Sequence, residues 1–155
     1  MTDDVEIIEE FDIDIFKDQL SLVALENELL NMEQVETTLE HSFSPGIYVR
    51  QLFIPAGALI IGKRHRYETC NMLLKGELSL YMGPNRPAKK ISAPCVFNSK
   101  PLVKKMGYAH TDVIFANVHP TNETDLEKIE EEFIITEEEY DALEIEHEGG
   151  QKCLG

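Results

Sequence analysis

The hydrophobic and polar residues follow different spacings in successive parts of the chain. Residues 1–18 alternate acidic with apolar side chains, which is typical of an edge strand or of an arm that becomes ordered on a partner. Residues 18–33 change to helical spacing, with the acidic residues mostly outside an apolar stripe. The stripe consists of Leu20, Val23, Leu25, Leu29, Leu30 and Met32. We therefore expect a helix that covers one side of the domain that follows.

Short β-type runs begin after residue 41, and glycine and proline separate them. A Ser-Pro-Gly turn signal at residues 44–46 precedes the first run. The runs are Ile47–Ile54, Ala58–Lys63, Cys70–Lys75, Glu77–Met82, Lys89–Ser92, Cys95–Asn98, Val103–Tyr108 and Val113–Val118. About eight short strands with this punctuation predict an antiparallel sandwich or barrel, and therefore a mainly β domain.

Helical spacing returns after residue 120. Residues 125–134 place their apolar side chains on one face, and Thr124 with Glu127 fits a capping box, as does Thr136 with Glu139. The predicted organisation has four parts. These are an acidic N-terminal arm and helix (1–40), a β-barrel (41–122), acidic C-terminal helices packed on the barrel (123–148) and a flexible tail (149–155).

Charge is distributed unevenly along the 155 residues of this acidic protein. The net charge is −12 over residues 1–40, +8 over residues 41–122 and −11 over residues 123–155. Two interpretations stay open. The acidic ends increase solubility and contact the basic body, within or between subunits, or the basic body contains an anion-binding pocket.

Several classes of protein do not fit this sequence. No apolar run reaches the roughly 18–20 residues that cross a bilayer, so we expect no membrane association. The acidic N-terminus does not fit a secretory signal. Three separated cysteines without CxxC spacing indicate reduced thiols and argue against a cysteine zinc site. The strongly negative net charge argues against nucleic-acid binding.

Residues 57–78 resemble the first conserved motif of the cupin superfamily. That motif runs from a glycine through a short strand, a His-x-His pair and a glutamate to a strand that ends in glycine. In this sequence the stretch contains Gly57, His65, Glu68 and Gly76. Residues 93–119 lie where the second cupin motif is expected. The resemblance implies a single-domain, antiparallel jelly-roll β-barrel, and it leaves the activity open because cupins include enzymes, sugar binders and storage proteins.

The part from residue 44 to residue 132 also resembles the short cupin-like proteins of tailed bacteriophages. The features that indicate this are Pro45–Arg50, Ile54–Gly57, Gly62–His65, Asn71–Leu73, Lys75–Glu77 and Val118–Thr121. The resemblance implies a protein located in the cytoplasm of a host cell or associated with a virion.

The cupin motif implies a metal site of two histidines, a glutamate and a third histidine, and this sequence matches that set at one position. His65 matches the first histidine, whereas Tyr67 stands at the second and Thr69 at the glutamate. The last position falls on Lys105 or, shifted by one, on Met106. We therefore expect no cofactor.

A divalent transition metal stays the alternative. Its candidate ligands are His65 and His119, with Glu68 or Asp112 as the carboxylate, because imidazole and carboxylate suit such ions.

Positive charge is concentrated near the two halves of this motif. Lys63, Arg64, Arg66, Lys104 and Lys105 lie there, and Tyr67, Asn71 and Tyr108 add hydrogen-bonding groups. A barrel mouth with cations and neutral donors favours an anionic ligand. The candidate ligand-binding residues are His65, Tyr67, Asn71, Lys63, Lys105 and Tyr108.

Three hypotheses about function follow. The first is a non-catalytic phage-type cupin module that binds a small anionic or sugar-like ligand, or a protein partner, and acts as a homodimer. The second is a metal-dependent isomerase, epimerase or oxygenase that acts on a sugar or small acid. The third is a structural or assembly protein of a virion. The sequence favours binding over catalysis.

Overall fold

The computed structural model describes residues 19–31, 34, 37–81 and 87–143. Its strands are β1 (Thr38–Ser44), β2 (Ile47–Ile54), β3 (Leu59–Ile61), β4 (Arg64–His65), β5 (Thr69–Lys75), β6 (Glu77–Tyr81), β7 (Lys89–Ser92), β8 (Cys95–Ser99), β9 (Met106–Ala109), β10 (Val113–His119) and β11 (Ile134–Ile135). Its helices are α1 (Gln19–Leu30), α2 (Leu126–Phe133) and α3 (residues 137–143). The predicted N-terminal arm and C-terminal tail lie outside the described residues.

The strands form two antiparallel sheets with a nested pattern of pairing. One sheet has the order β1-β2-β10-β5-β8 and the other has the order β3-β9-β6-β7. Eight strands form the barrel, and they pair from the outside of the sequence inwards. β2 pairs with β10, β3 with β9, β5 with β8 and β6 with β7. This is the connectivity of a jelly roll, which confirms the predicted mainly β antiparallel barrel.

Three strands were not predicted. β1 lies at the free edge of its sheet, begins before the predicted start of the barrel and has every residue exposed. The other two, β4 and β11, form a separate two-residue ribbon between distant parts of the chain. Pairing of this kind depends on tertiary contacts, so neither length nor alternation reveals it.

Alternation along the inner strands places apolar side chains between the two sheets. The core there consists of Ile54, Ala58, Leu73, Leu78, Leu80, Ala109 and Val113, all of them buried. Along β5 the buried positions are Thr69, Asn71 and Leu73, so the same period of two that buries the leucine also directs a polar amide into the barrel.

A glycine makes the tight connection from β5 to β6 possible. Gly76 has a φ of 91°, and a Cβ atom at this position would lie 2.2 Å from the backbone oxygen of Asp112. Both the left-handed backbone and the close approach require glycine.

The two terminal helical segments pack on the barrel, with differences from the predicted detail. Among the α1 side chains that the structure describes, Leu22 is fully buried and packs with Tyr81 and Met106, whereas Leu30 of the predicted stripe is exposed. The predicted capping box of Thr124 with Glu127 is wrong by one residue, because the Asp125 carboxylate accepts the Glu127 amide N–H at 3.0 Å. None of the described helices has the length and apolar character needed to cross a lipid bilayer.

The second predicted cap is confirmed. Thr136 precedes α3, and its hydroxyl oxygen accepts the Glu139 amide N–H at 3.1 Å.

The acidic terminal segments form ion pairs with the basic barrel within one chain. Lys104 donates to Glu26 of α1 at 3.0 Å and to Glu137 of α3 at 2.9 Å, and Arg64 Nε lies 3.1 Å from the same Glu137 oxygen. Both cations are 2% exposed. Burial alone would raise the pKa of Glu137, but the hydrogen bond and charge of Lys104 and the charge of Arg64 lower it. Acidic side chains of α1 and α3 therefore attach these two helices to basic residues of the barrel.

Candidate ligand cavity

The barrel encloses a cavity of about 520 Å³, which is the size of a small-molecule site. Its walls are mainly apolar, and α2 covers one side of it. The apolar wall residues include Leu52, Ile54, Ile60, Leu78, Leu80, Phe115, Leu126, Ile129 and Phe133. A ligand in this cavity would therefore contact hydrocarbon over most of its surface.

Lys105 provides a buried positive charge in the cavity wall. The side chain is 7% exposed, and its Nζ donates to Asn71 Oδ1 at 3.1 Å and to Ser99 Oγ at 3.4 Å. Asn117 Nδ2 donates to the same Asn71 oxygen at 2.7 Å, which fixes that amide in place. Burial, and secondarily the charge of Arg50, lower the pKa of Lys105 from 10.5 to about 8. The hydrogen-bond partners of Lys105 among the described residues are neutral, and burial leaves its charged form poorly solvated.

Arg50 adds a second positive charge to the cavity. It lies on β2 opposite Asn117 of β10 and lines the cavity together with Tyr48 and Leu52 of its own strand. The sequence analysis missed this residue. The signal was present in the alternation along β2, because residues at every second position face the same side of a sheet.

Two histidines and a tyrosine form a stack along the wall. The ring centroids of Tyr48 and His119 are 5.8 Å apart, and those of His119 and His65 are 5.5 Å apart. His41 Nδ1 lies 2.7 Å from the Tyr48 hydroxyl oxygen. Burial, followed by the charges of nearby cations, lowers the pKa of His65 to about 3 and that of His119 to about 4. Both imidazoles are therefore neutral near pH 7.

The cavity gathers some of the predicted ligand-binding residues. His65 and Lys105 line it, and Asn71 lies directly behind Lys105 as its hydrogen-bond partner. Lys63 lies at the rim, where it forms an ion pair with Glu130 of α2.

The two predicted tyrosines lie elsewhere. Tyr67 is 52% exposed and contacts Phe133 edge-on outside the cavity. Tyr108 is buried, but the neighbouring Gly107 lines the cavity, so alternation along β9 directs the tyrosine to the opposite face of the sheet. There it meets His110, with ring centroids 4.9 Å apart. Strand alternation therefore separates residues that are close in sequence.

The candidate metal ligands do not come together as a metal-binding group in the part of the chain that the structure describes. The rings of His65 and His119 are stacked, with centroids 5.5 Å apart and an interplanar angle of 29°. Glu68 is exposed and does not line the cavity, and the Asp112 carboxylate accepts the Ala56 amide N–H. The described residues contain no group of three or more His, Cys, Asp or Glu side chains that could hold a metal.

The nested strand pairing and the enclosed cavity define the protein as a jelly-roll β-barrel. The sequence matches no protein-family model and none of the curated proteins. Solved structures with a similar fold include three cupin-type proteins. KdgF from Halomonas sp. is 13% identical, with 61% of this chain and 88% of that chain covered and a TM-score of 0.48.

The second is an RmlC-like cupin family protein with a double-stranded β-helix fold from Methanocaldococcus jannaschii. It is 14% identical, with 57% of this chain and 91% of that chain covered and a TM-score of 0.46. The third is a cupin-like protein from Thermotoga maritima. It is 15% identical, with 67% of this chain and 81% of that chain covered and a TM-score of 0.47. Likeness at this level concerns the fold and leaves the ligand and activity open.

Proposed function

We propose that the protein is a non-catalytic cupin-like module that binds a small organic anion with an apolar body. The observation that carries this proposal is the presence of Lys105 and Arg50 in an otherwise apolar cavity. The one carboxylate among the described lining residues is Glu130, and its charge is offset by Lys63 at the rim. The interior of the cavity is therefore positive.

The burial of Lys105 favours an anionic partner. A charged ammonium in a poorly solvated site raises the free energy of the folded protein, and an anion beside it offsets that cost. Neutral Asn71 and Ser99 cannot supply the missing negative charge. A carboxylate or phosphate in the cavity would be held by Lys105 and Arg50 together.

The apolar walls narrow the ligand class further. A sugar-like ligand, the other predicted class, would lose hydrogen bonds to water against leucine, isoleucine and phenylalanine side chains. An aliphatic or aromatic carboxylate places its hydrocarbon part against these walls and its charge at Lys105.

Isothermal titration calorimetry with octanoate and octan-1-ol tests this proposal. The two probes share an apolar chain, and the acid alone is charged at pH 7. We expect octanoate to bind at least about tenfold more tightly, because hydrogen bonds to charged groups contribute about 1.5–3 kcal/mol. Lys105→Met is expected to remove this preference, and Lys100→Met, at an exposed site after β8, is the matched control. Equal binding of the two probes by the wild-type protein would overturn the anion part of the proposal.

The homodimer is a separate part of this proposal, and the free edge of β1 supports it. All seven residues of β1 are exposed, and Phe43 and Leu39 add apolar surface there. An unpaired strand edge is a template for pairing with another strand. A second copy of the chain, with its β1 antiparallel to the first, would satisfy both edges. The phage role, the metal-dependent enzyme and the virion component stay predictions that no described feature favours.

A further inference from the structure

We propose that Lys105 captures a ligand that carries an aldehyde or ketone group as a reversible imine, while Arg50 holds the anionic group of the same ligand. The proposal rests on the proposed function, since it uses the same cavity and adds a covalent step to binding. It also names the ligand class more narrowly, as an oxo acid with an apolar body.

The position of Lys105 supports this role. Its side chain lines the cavity, and the two acceptors that hold Nζ, Asn71 Oδ1 and Ser99 Oγ, are neutral. Asn117 anchors the Asn71 amide, so the lysine is oriented by side chains that are themselves fixed. An amine held at one point in an apolar cavity is placed to attack a carbonyl carbon bound beside it.

The protonation state is suitable for the same step. Imine formation needs the neutral amine, and burial lowers the pKa of Lys105 to about 8. Near pH 7.5 about a quarter of this side chain is neutral, against about one part in a thousand for an ordinary lysine. The cavity thus produces a nucleophile at neutral pH from a lysine that would otherwise remain charged.

The reaction balances without a cofactor or an oxidant. The neutral amine of Lys105 adds to the carbonyl carbon and gives a carbinolamine, and the nitrogen proton moves to the carbonyl oxygen. The carbinolamine then loses this hydroxyl together with its remaining nitrogen proton as water, and a carbon–nitrogen double bond forms. Hydrolysis reverses the sequence and releases the ligand unchanged. The step is therefore reversible covalent binding.

The neighbouring Lys104 provides an internal comparison. It is also buried, but its Nζ contacts the carboxylates of Glu26 and Glu137, whereas the hydrogen-bond acceptors of Lys105 are neutral. Lys104 does not line the cavity. We therefore expect Lys105 to react and Lys104 to remain unmodified.

The test uses 2-oxooctanoate with sodium cyanoborohydride, which reduces an imine to a stable amine. Intact-protein mass spectrometry counts the adducts, and peptide mapping locates them. We expect modification of Lys105 to be about tenfold faster than that of exposed lysines, after allowing for the weaker nucleophilicity of a less basic amine. Its rate should rise with pH and level off above about 8, and excess octanoate should suppress it.

Two variants separate this inference from the proposed function. Lys105→Arg keeps the positive charge, so it should still bind octanoate and yet form no adduct in the cavity. Lys100→Arg is the control and should be modified at Lys105 as in the wild type. If 2-oxooctanoate displaces octanoate but leaves Lys105 unmodified, the imine is wrong and anion binding stands. If octanoate does not bind and no adduct forms at Lys105, both proposals are wrong. Adducts spread evenly over exposed lysines would also overturn the imine.

Discussion

Replacing Lys105 with methionine should make the folded protein more stable while removing its affinity for anions. The folded-state pKa of Lys105, about 8, lies below the ordinary value of 10.5, chiefly because of burial and secondarily because of Arg50. The charged form is therefore disfavoured in the folded protein relative to the unfolded chain. This penalty is complete at pH values below about 8 and disappears as the pH rises through 10.5.

The size of the effect follows from the difference in pKa. At pH 7 the penalty is about 3 kcal/mol, and at pH 10 less than about 1 kcal/mol remains. Methionine fills a similar volume without a charge. Its cost is the lost donor to Ser99 and Asn71, about 1 kcal/mol, since Asn71 keeps its bond from Asn117. We therefore expect Lys105→Met to stabilise the protein by about 2 kcal/mol at pH 7 and by almost nothing at pH 10.

Urea unfolding of the wild-type protein and of Lys105→Met at both pH values measures this. Other titrating groups contribute equally to the two proteins, so the change in their difference between pH 7 and pH 10 isolates Lys105. Lys100→Met is the control and should show no such change. If the two stability curves run parallel between these pH values, Lys105 does not carry a lowered pKa, and the argument for an anion-binding cavity loses its main support.

Three further predictions concern other parts of the structure. Glu137→Gln should destabilise the protein by about 2 kcal/mol at pH 7 in urea unfolding, because it removes the carboxylate that two buried cations, Arg64 and Lys104, share; the difference should shrink as the pH falls below 4.5, and the exposed Glu138→Gln should change little. Gly76→Ala should cost at least about 2 kcal/mol in the same assay, through its positive φ and the contact with the Asp112 backbone. Sedimentation of the full chain should show a dimer, and a monomer at every protein concentration would contradict pairing through the β1 edge; weakening of the dimer in high salt or on deletion of residues 1–18 would show that the acidic N-terminal segment also contacts the second subunit.

The local pattern of short β-type runs separated by glycine and proline was sufficient to predict the barrel, because each of these features can be recognised within a few residues. The resemblance to the cupin motif brought together His65, Asn71 and Lys105 as candidates, and in the structure His65 and Lys105 line one cavity, with Asn71 bonded to Lys105. The sequence analysis did not predict on which face of its strand each candidate side chain lies. Tyr108 follows the cavity-lining Gly107 by one residue and therefore faces away from the cavity. No local feature of the sequence indicated the short ribbon of β4 and β11, which forms between segments distant in the chain.

Charge clustering along the sequence was also an incomplete guide to the site. Five cations near the cupin-like motif predicted an anion pocket, but Lys104 and Arg64 are paired with carboxylates of the terminal helices. Arg66 likewise contacts Glu139, at 3.1 Å. These pairings form between segments that lie far apart in the chain, so clustering alone could not separate the structural cations from Lys105 in the cavity wall and Lys63 at its rim.

The positive charge in the cavity supports the proposed organic anion over a metal ion as the ligand. Lys105 falls at the position where the resemblance to cupins implies a histidine ligand, and its ammonium cannot donate a lone pair to a metal while it is protonated. Together with Arg50 it would repel a divalent cation from His65 and His119, and these two charges add to burial, the larger cause, in lowering the pKa of both imidazoles. A divalent metal ion and this pair of cations would repel each other in the same cavity. An organic anion satisfies the cations and leaves the neutral histidines as hydrogen-bonding groups in the wall.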